Sequence, residues 1–141
     1  MKSAKWMLPV TLMLLSGLMA AQSFTSSRVV AQVPFDFMVN NKIIRAGECV
    51  VKASSMDGRT LVIGNFDARK SAFSQSTPEE TNAVSGDTVL VFKHYGDQYF
   101  LSSIRIEGSN RTYTLPESRA ETELRSQNMT ASQTKVLAAL R

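Results

Sequence analysis

Between Val33 and Leu115, short runs of β-branched and aromatic residues are separated by turn residues, among them the pairs Asn40-Asn41, Asp57-Gly58 and Gly96-Asp97, and this punctuation restricts the fold more than any other feature. Runs so short suit strands, and they leave little room for helices. The order Val33, Phe35, Phe37, Val39 alternates with Pro34, Asp36, Met38 and Asn40, the two-residue period of a strand with one buried face, which points the Phe pair inward. Asn40 and Asn41 tolerate left-handed backbone angles and turn the chain before Ile43 and Ile44; Gly47 then releases a strand over Glu48 to Ala53. Asp57-Gly58 is a hairpin signal between that strand and Thr60 to Phe66. A polar turn at Asp67 to Arg69 precedes a weaker strand at Ser71 to Gln75, and Thr77 to Asp87, containing Pro78 and Gly86, reads as a polar loop.

The clearest hairpin joins Thr88 to Tyr95 with Gln98 to Glu107 through Gly96-Asp97, and it is expected at the centre of the sheet. Its second arm places Phe100, Ile104 and Ile106 on one face and Tyr99 and Leu101 on the other, so both faces are expected to be at least partly covered. A Gly108-Ser109-Asn110 turn leads into Arg111 to Leu115. The fold class read from this pattern is all-β: a small antiparallel barrel or sandwich of about seven strands.

The pattern changes at Pro116, which stops the last strand. Ser118 and Glu121 have capping-box spacing and predict a short helix, with Ala120 and Leu124 toward the barrel and Arg119, Glu121, Glu123 and Arg125 mostly toward water. Ser126 to Thr134 reads as a linker. Lys135 to Leu140 reads as a final edge strand, with a second helical turn as the alternative because Ala138 and Ala139 favour helix.

At the other end, Lys2 and Lys5 ahead of the apolar run Met7 to Ala20 read as a secretory signal peptide over residues 1–21, cut in the window from Ala20 to Ser23. The run is short against the ~20 residues a membrane helix needs, so no membrane span is expected after cleavage. No Cys follows it, which excludes acylation of a lipoprotein-type cysteine. The chain thus divides into a leader, an N-terminal lead-in at 22–32, a β domain at 33–115, and a C-terminal helix and tail at 116–141 packed on that domain. The expected location is periplasmic or extracellular.

Removal of Lys2 and Lys5 leaves 14 basic against 12 acidic residues, and the basic ones are scattered. Nucleic acid, which requires a concentrated basic stripe, is not an expected partner. Cys49 is the only cysteine, so no intrachain disulfide forms; beside Val50 and Val51, which suggest a strand, it reads as a small buried side chain rather than a nucleophile or an intermolecular bridge.

Val33-Pro34-Phe35-Asp36-Phe37 followed by Ala46-Gly47-Glu48, the segment Leu90-Val91-Phe92-Lys93-His94-Tyr95-Gly96-Asp97-Gln98-Tyr99-Phe100-Leu101-Ser102, and Leu115-Pro116-Glu117-Ser118-Arg119-Ala120-Glu121 resemble a family of small secreted bacterial proteins, many from acidobacteria. The resemblance covers most of the mature chain. Family members typically carry Pro before the Ala-Gly pair and Tyr after the Glu, where this chain has Arg45 and Cys49, so no family role passes to Cys49. The resemblance implies export and a β-rich domain of uncharacterised function, and it supplies no mechanism. A bacterial source also discounts the glycosylation sequons at Asn110 and Asn128.

No nucleophile elbow, phosphate loop, His-Glu-x-x-His or paired-Cys motif is present. No catalytic, cofactor-binding or metal-binding residue is expected. Asp36, Asp57, Asp67, Asp87 and Asp97 lie on separate turns and read mostly as turn formers. The surface candidates are His94, Tyr95 and Asp97 around the hairpin turn, where His94 with Asp97 could serve as base or ligand, and Arg119, which could meet a ligand carboxylate but is more simply paired with a nearby Glu.

Three functions fit. The first is an exported, non-catalytic module that binds a protein, glycan or surface. The second is a small barrel holding an apolar ligand among Phe35, Phe37, Phe66, Phe92 and Phe100. The third is a hydrolase using Cys49 or His94, which requires an exposed thiol within reach of the imidazole.

Overall fold

The computed structural model describes residues 28–65 and 67–141; the expected signal peptide, its expected cleavage window and Phe66 lie outside the described residues. The described residues form eleven strands and one helix. In order these are β1 (Arg28–Val33), β2 (Phe37–Val39), β3 (Lys42–Ile44), β4 (Gly47–Ala53), β5 (Thr60–Asn65), β6 (Lys70–Gln75), β7 (Thr77–Glu80), β8 (Thr88–Tyr95), β9 (Gln98–Arg105), β10 (Arg111–Thr114), α1 (Arg119–Ser126) and β11 (Ser132–Leu140). One sheet contains them all, in the order β3-β2-β9-β8-β11-β1-β4-β5-β6, with β10 on β9 and β7 on β10.

The sheet curls into a nearly closed barrel. Its two ends meet where β3 packs beside β6, and the Asn40 side-chain amide donates to the Phe73 carbonyl across the seam at 3.3 Å. Asn40 and Asn41 are both left-handed, with φ of 47° and 64°, as their turn position requires. All pairings among the described strands are antiparallel except β2 on β9, where Met38 lies beside Phe100.

Several strands depart from the sequence reading. The segment 22–32 was expected to be a lead-in, yet from Arg28 the chain is a strand between β4 and β11, with Val29, Ala31 and Val33 buried on alternate positions. The single strand expected from Val33 to Val39 is broken: Pro34 has no N–H for a ladder, so β1 ends at Val33 and β2 begins only at Phe37. Thr77 to Asp87 is not wholly loop, because Thr77–Glu80 pairs with β10. With these pieces the strands number eleven rather than about seven.

The segment Lys135 to Leu140 is a strand, and it is interior rather than at an edge. β11 inserts between β1 and β8, so the tail completes the sheet instead of resting on it. Its period-two pattern, with Thr134, Val136, Ala138 and Leu140 half-buried and Lys135, Leu137 and Ala139 exposed, overrides the helical propensity of the alanine pair.

The core fills the barrel interior. Val51, Leu61, Ile63, Leu90, Phe92 and Ile104 are fully enclosed, each worth about 1.5–3 kcal/mol relative to exposure. Phe100 is buried but not there. Phe92 pairs with Leu101 and Val91 with Ser103, so Ser102 is an extra residue on β9, a bulge that shifts which positions face inward. Leu101 and Ile104 therefore share the core, while Phe100 turns to the outer face and meets Tyr95 edge-on at 5.8 Å. The expected grouping of Phe100 with Ile104 and Ile106 assumed an unbroken period and is corrected by this bulge.

Candidate functional site

The thiol of Cys49 lies in the barrel core, 1% exposed, opposite Ala31 on β1 and Asn65 on β5. Burial pushes its pKa up to about 12, so it is protonated at neutral pH and reads as packing rather than nucleophile. His94 is elsewhere: its ring stacks on Tyr99 at 5.0 Å and its Nδ1 lies 3.3 Å from the Gly96 carbonyl. Asp97 is exposed in the hairpin turn. The imidazole thus faces a backbone carbonyl and an aromatic ring, the setting of a structural histidine.

Tyr95 is not on the surface. It is 2% exposed on the outer face of the sheet, and its hydroxyl donates to Glu121 Oε1 at 3.1 Å. Glu121, expected toward water, is 5% exposed. Ser118 caps α1 by accepting from the Glu121 N–H at 3.3 Å, as its spacing predicts, while the Glu121 carboxylate leaves the cap to fasten the helix to the sheet. Burial raises the pKa of Glu121 above the usual carboxylate value, and the Tyr95 hydroxyl works against that rise. Burial first, and the Glu121 charge second, push Tyr95 up to about 12. Arg119 pairs with Glu123 one turn on at 3.2 Å, both largely exposed, and Arg125 pairs with Glu117.

The Asp36 and Ala46-Gly47 segments are tied together by their own hydrogen bonds. Asp36 Oδ1 accepts from the Ala46 N–H at 2.8 Å and Oδ2 from Arg45 at 3.1 Å, and the backbone donor above all holds Asp36 below the usual carboxylate range. Gly47 follows with φ of +133°, and a Cβ there would lie 3.1 Å from the Asn65 side-chain nitrogen. Asn65 is 3% exposed and fully used: its amide donates to the carbonyls of Arg45 and Ala46, and its oxygen accepts from the N–H groups of Asp67 and Ala68. One side chain thus ties the entry to β4 to the turn between β5 and β6.

The rings expected to surround an apolar ligand mostly touch one another. Phe35 stacks on Tyr99 with centroids 3.8 Å apart, and Phe35 and Phe37 each meet Phe92 edge-on at 5.0 Å. They fill the space they line. Phe100 lies outside with Tyr95.

The surface with binding character is one the sequence reading did not single out. Helix α1 covers the sheet around Tyr95, but the outer faces of β11, β1, β4, β5 and β6 carry no covering element among the described residues. Leu137 there is 72% exposed and Phe73 60%. Between them lie two depressions. One, of about 360 Å³, runs over Val30, Gln32, Glu48, Leu137 and Ala139. The other, of about 280 Å³, crosses β4, β5 and β6, with Val50, Val62 and Gly64 beneath and Lys52, Arg69 and Lys70 around it. Register brings these residues together: Val50 is opposite Gly64, Gly64 opposite Ser71, and Lys52 opposite Val62.

Among the described residues no three His, Cys, Asp or Glu side chains are placed to hold a metal ion, and no helix is long and apolar enough to cross a membrane. No family model, curated protein or solved structure matches the chain.

Proposed function

We propose that this chain is an exported, non-catalytic binding module, and that the outer face of β11, β1, β4, β5 and β6 is its binding surface. The observation that carries the reading is that face: apolar side chains up to 72% exposed, ranged over five adjoining strands, beside a helix-covered face of the same sheet. Export rests on the leader pattern in residues 1–21. A hydrolase reading finds no support in the buried thiol of Cys49, and the filled interior weighs against an apolar ligand inside the barrel.

Native mass spectrometry of the chain purified from the exporting cell's periplasm or medium tests this, compared with its denatured mass and with the variant Phe73→Lys/Leu137→Lys. The expected result is a non-covalent adduct on the wild type that the variant lacks, on a chain whose denatured mass shows removal of the leader. A bare mass in both proteins, or an adduct that both retain, overturns the assignment of the surface. A full-length denatured mass overturns cleavage of the leader.

A further inference from the structure

We infer that the groove across β4, β5 and β6 binds an elongated organic anion: a linear dicarboxylate, or a chain of the same charge pattern, with an apolar middle. The inference rests on the reading of this face as a binding surface and names the chemistry it selects.

Charge is the first argument. Three cations line the groove and no acidic side chain does. Among the described residues, the ion pairs are Arg45–Asp36, Arg59–Asp57, Arg111–Glu80, Arg119–Glu123 and Arg125–Glu117, so Lys52, Arg69 and Lys70 have no acidic partner. The acid nearest in sequence, Asp67, has a carboxylate oxygen near Gly47, 3.8 Å from where a Cβ would stand.

Shape is the second. Lys52 is opposite the outward Val62 and Arg69 stands in the turn just beyond Asn65, so these two cations stand at the two ends of the β5 stretch from Val62 to Asn65, three rises or about 10 Å long, while Lys70, opposite the inward Asn65, borders the groove from the other face. The stretch between them is apolar, and it is hollow because Gly64 has no side chain to fill it. A Cβ at Gly64 would lie 3.2 Å from the Lys70 carbonyl oxygen and 3.3 Å from Ser71 Cβ, so the close approach of β6 keeps the position bare. A compact anion would meet one end only; a linear dianion meets both and covers the valines.

Backbone strain is the third. Arg69 adopts φ of 51°, a left-handed conformation that Gly or Asn takes more readily, in a turn whose Asp67 and Ala68 N–H groups donate to the Asn65 side-chain oxygen. The turn presents an unpaired guanidinium at the groove from a backbone that would be more relaxed without it, the pattern of strain retained at functional sites.

An amide chemical-shift titration of the folded protein with octanedioate, octanoate and the corresponding diol tests the inference. Saturable shifts are expected at Val50, Lys52, Val62, Gly64 and Ser71 with the dianion, weaker binding by about fivefold with the monoanion, and none with the diol. Lys52→Gln and Arg69→Gly should each weaken the dianion by about fivefold, with the melting temperature of Arg69→Gly no lower than wild type. No saturable shift at millimolar probe, equal affinity for dianion and monoanion, or shifts spread evenly over cations such as Arg105 and Arg111 overturns it. If the dianion fails while the native adduct is lost in Phe73→Lys/Leu137→Lys, the ligand class is wrong and the surface stands; if that adduct test fails too, both do.

Discussion

Replacing Tyr95 by Phe removes one oxygen and leaves the ring beside Phe100, so its effect isolates the bond that fastens α1 to the sheet. Glu121 is 5% exposed and accepts from Tyr95 at 3.1 Å. A buried carboxylate deprived of such a donor loses about 2 kcal/mol, which for a domain of this size lowers the melting temperature by about 8 °C at pH 7. The sign of the pH dependence follows from the shift. The folded-state pKa of Glu121 is raised above its ordinary value of 4.5, so its contribution is fully present below that value and is lost as pH rises through the folded pKa. Tyr95 opposes that loss by stabilising the ionised form. The gap between wild type and Tyr95→Phe should therefore be widest at pH 7 and shrink by about half toward pH 4. Thermal unfolding of both proteins, with Glu121→Gln as the non-titrating reference, measures it. An equal gap at both pH values, or one as wide in the Glu121→Gln background as in the Glu121 protein at pH 7, would refute the argument that the ionised carboxylate is what the hydroxyl stabilises.

Asn65→Ala should cost about 3 kcal/mol in urea unfolding, because it leaves two carbonyls and two N–H groups without their partner; a loss under about 1 kcal/mol would show that water replaces the side chain freely. Cys49 should react with a thiol reagent at pH 8 only as fast as the domain opens, so its labelling rate should rise in step with urea-induced unfolding; rapid labelling of the native protein contradicts a buried, protonated thiol. Arg69→Gly should raise stability by about 0.5–1 kcal/mol through relief of the left-handed backbone, read as a higher urea midpoint, and a lower midpoint would mean that the guanidinium holds the turn together.

How much of the molecule was legible depends on how local its cause is. Asp57-Gly58, Gly96-Asp97 and the Ser118–Glu121 cap are written in a few adjacent residues, and each forms where expected. β7 was hidden because Thr77-Pro78-Glu79-Glu80 has no apolar face; only its neighbour β10 makes it a strand. The bulge at Ser102 was invisible because Ser102 and Ser103 are both polar and either phase of the pattern fits them. Glu121 read as solvated because a carboxylate is buried only with a partner, and Tyr95 stands 26 positions away. The groove was beyond sequence reasoning for the same cause. It is made by a missing side chain at Gly64 and by cations that β4 and the turn into β6 bring to one place, and no short stretch of sequence contains it.

The place of β11 also governs how the domain assembles. Arg28 and Arg141 exchange both backbone hydrogen bonds at 2.8 Å, so residues more than a hundred positions apart are direct neighbours. Without β11 the sheet falls into two halves, β1-β4-β5-β6 and the strands around β8-β9, each with a bare edge rich in valine. The chain must close its longest loop before those edges are covered, which places folding in the slow, non-local regime and exposes templates for aggregation in the meantime. The proposed export, which passes the chain unfolded, suits such a design, since the sheet is not complete until β11 arrives to bridge the halves.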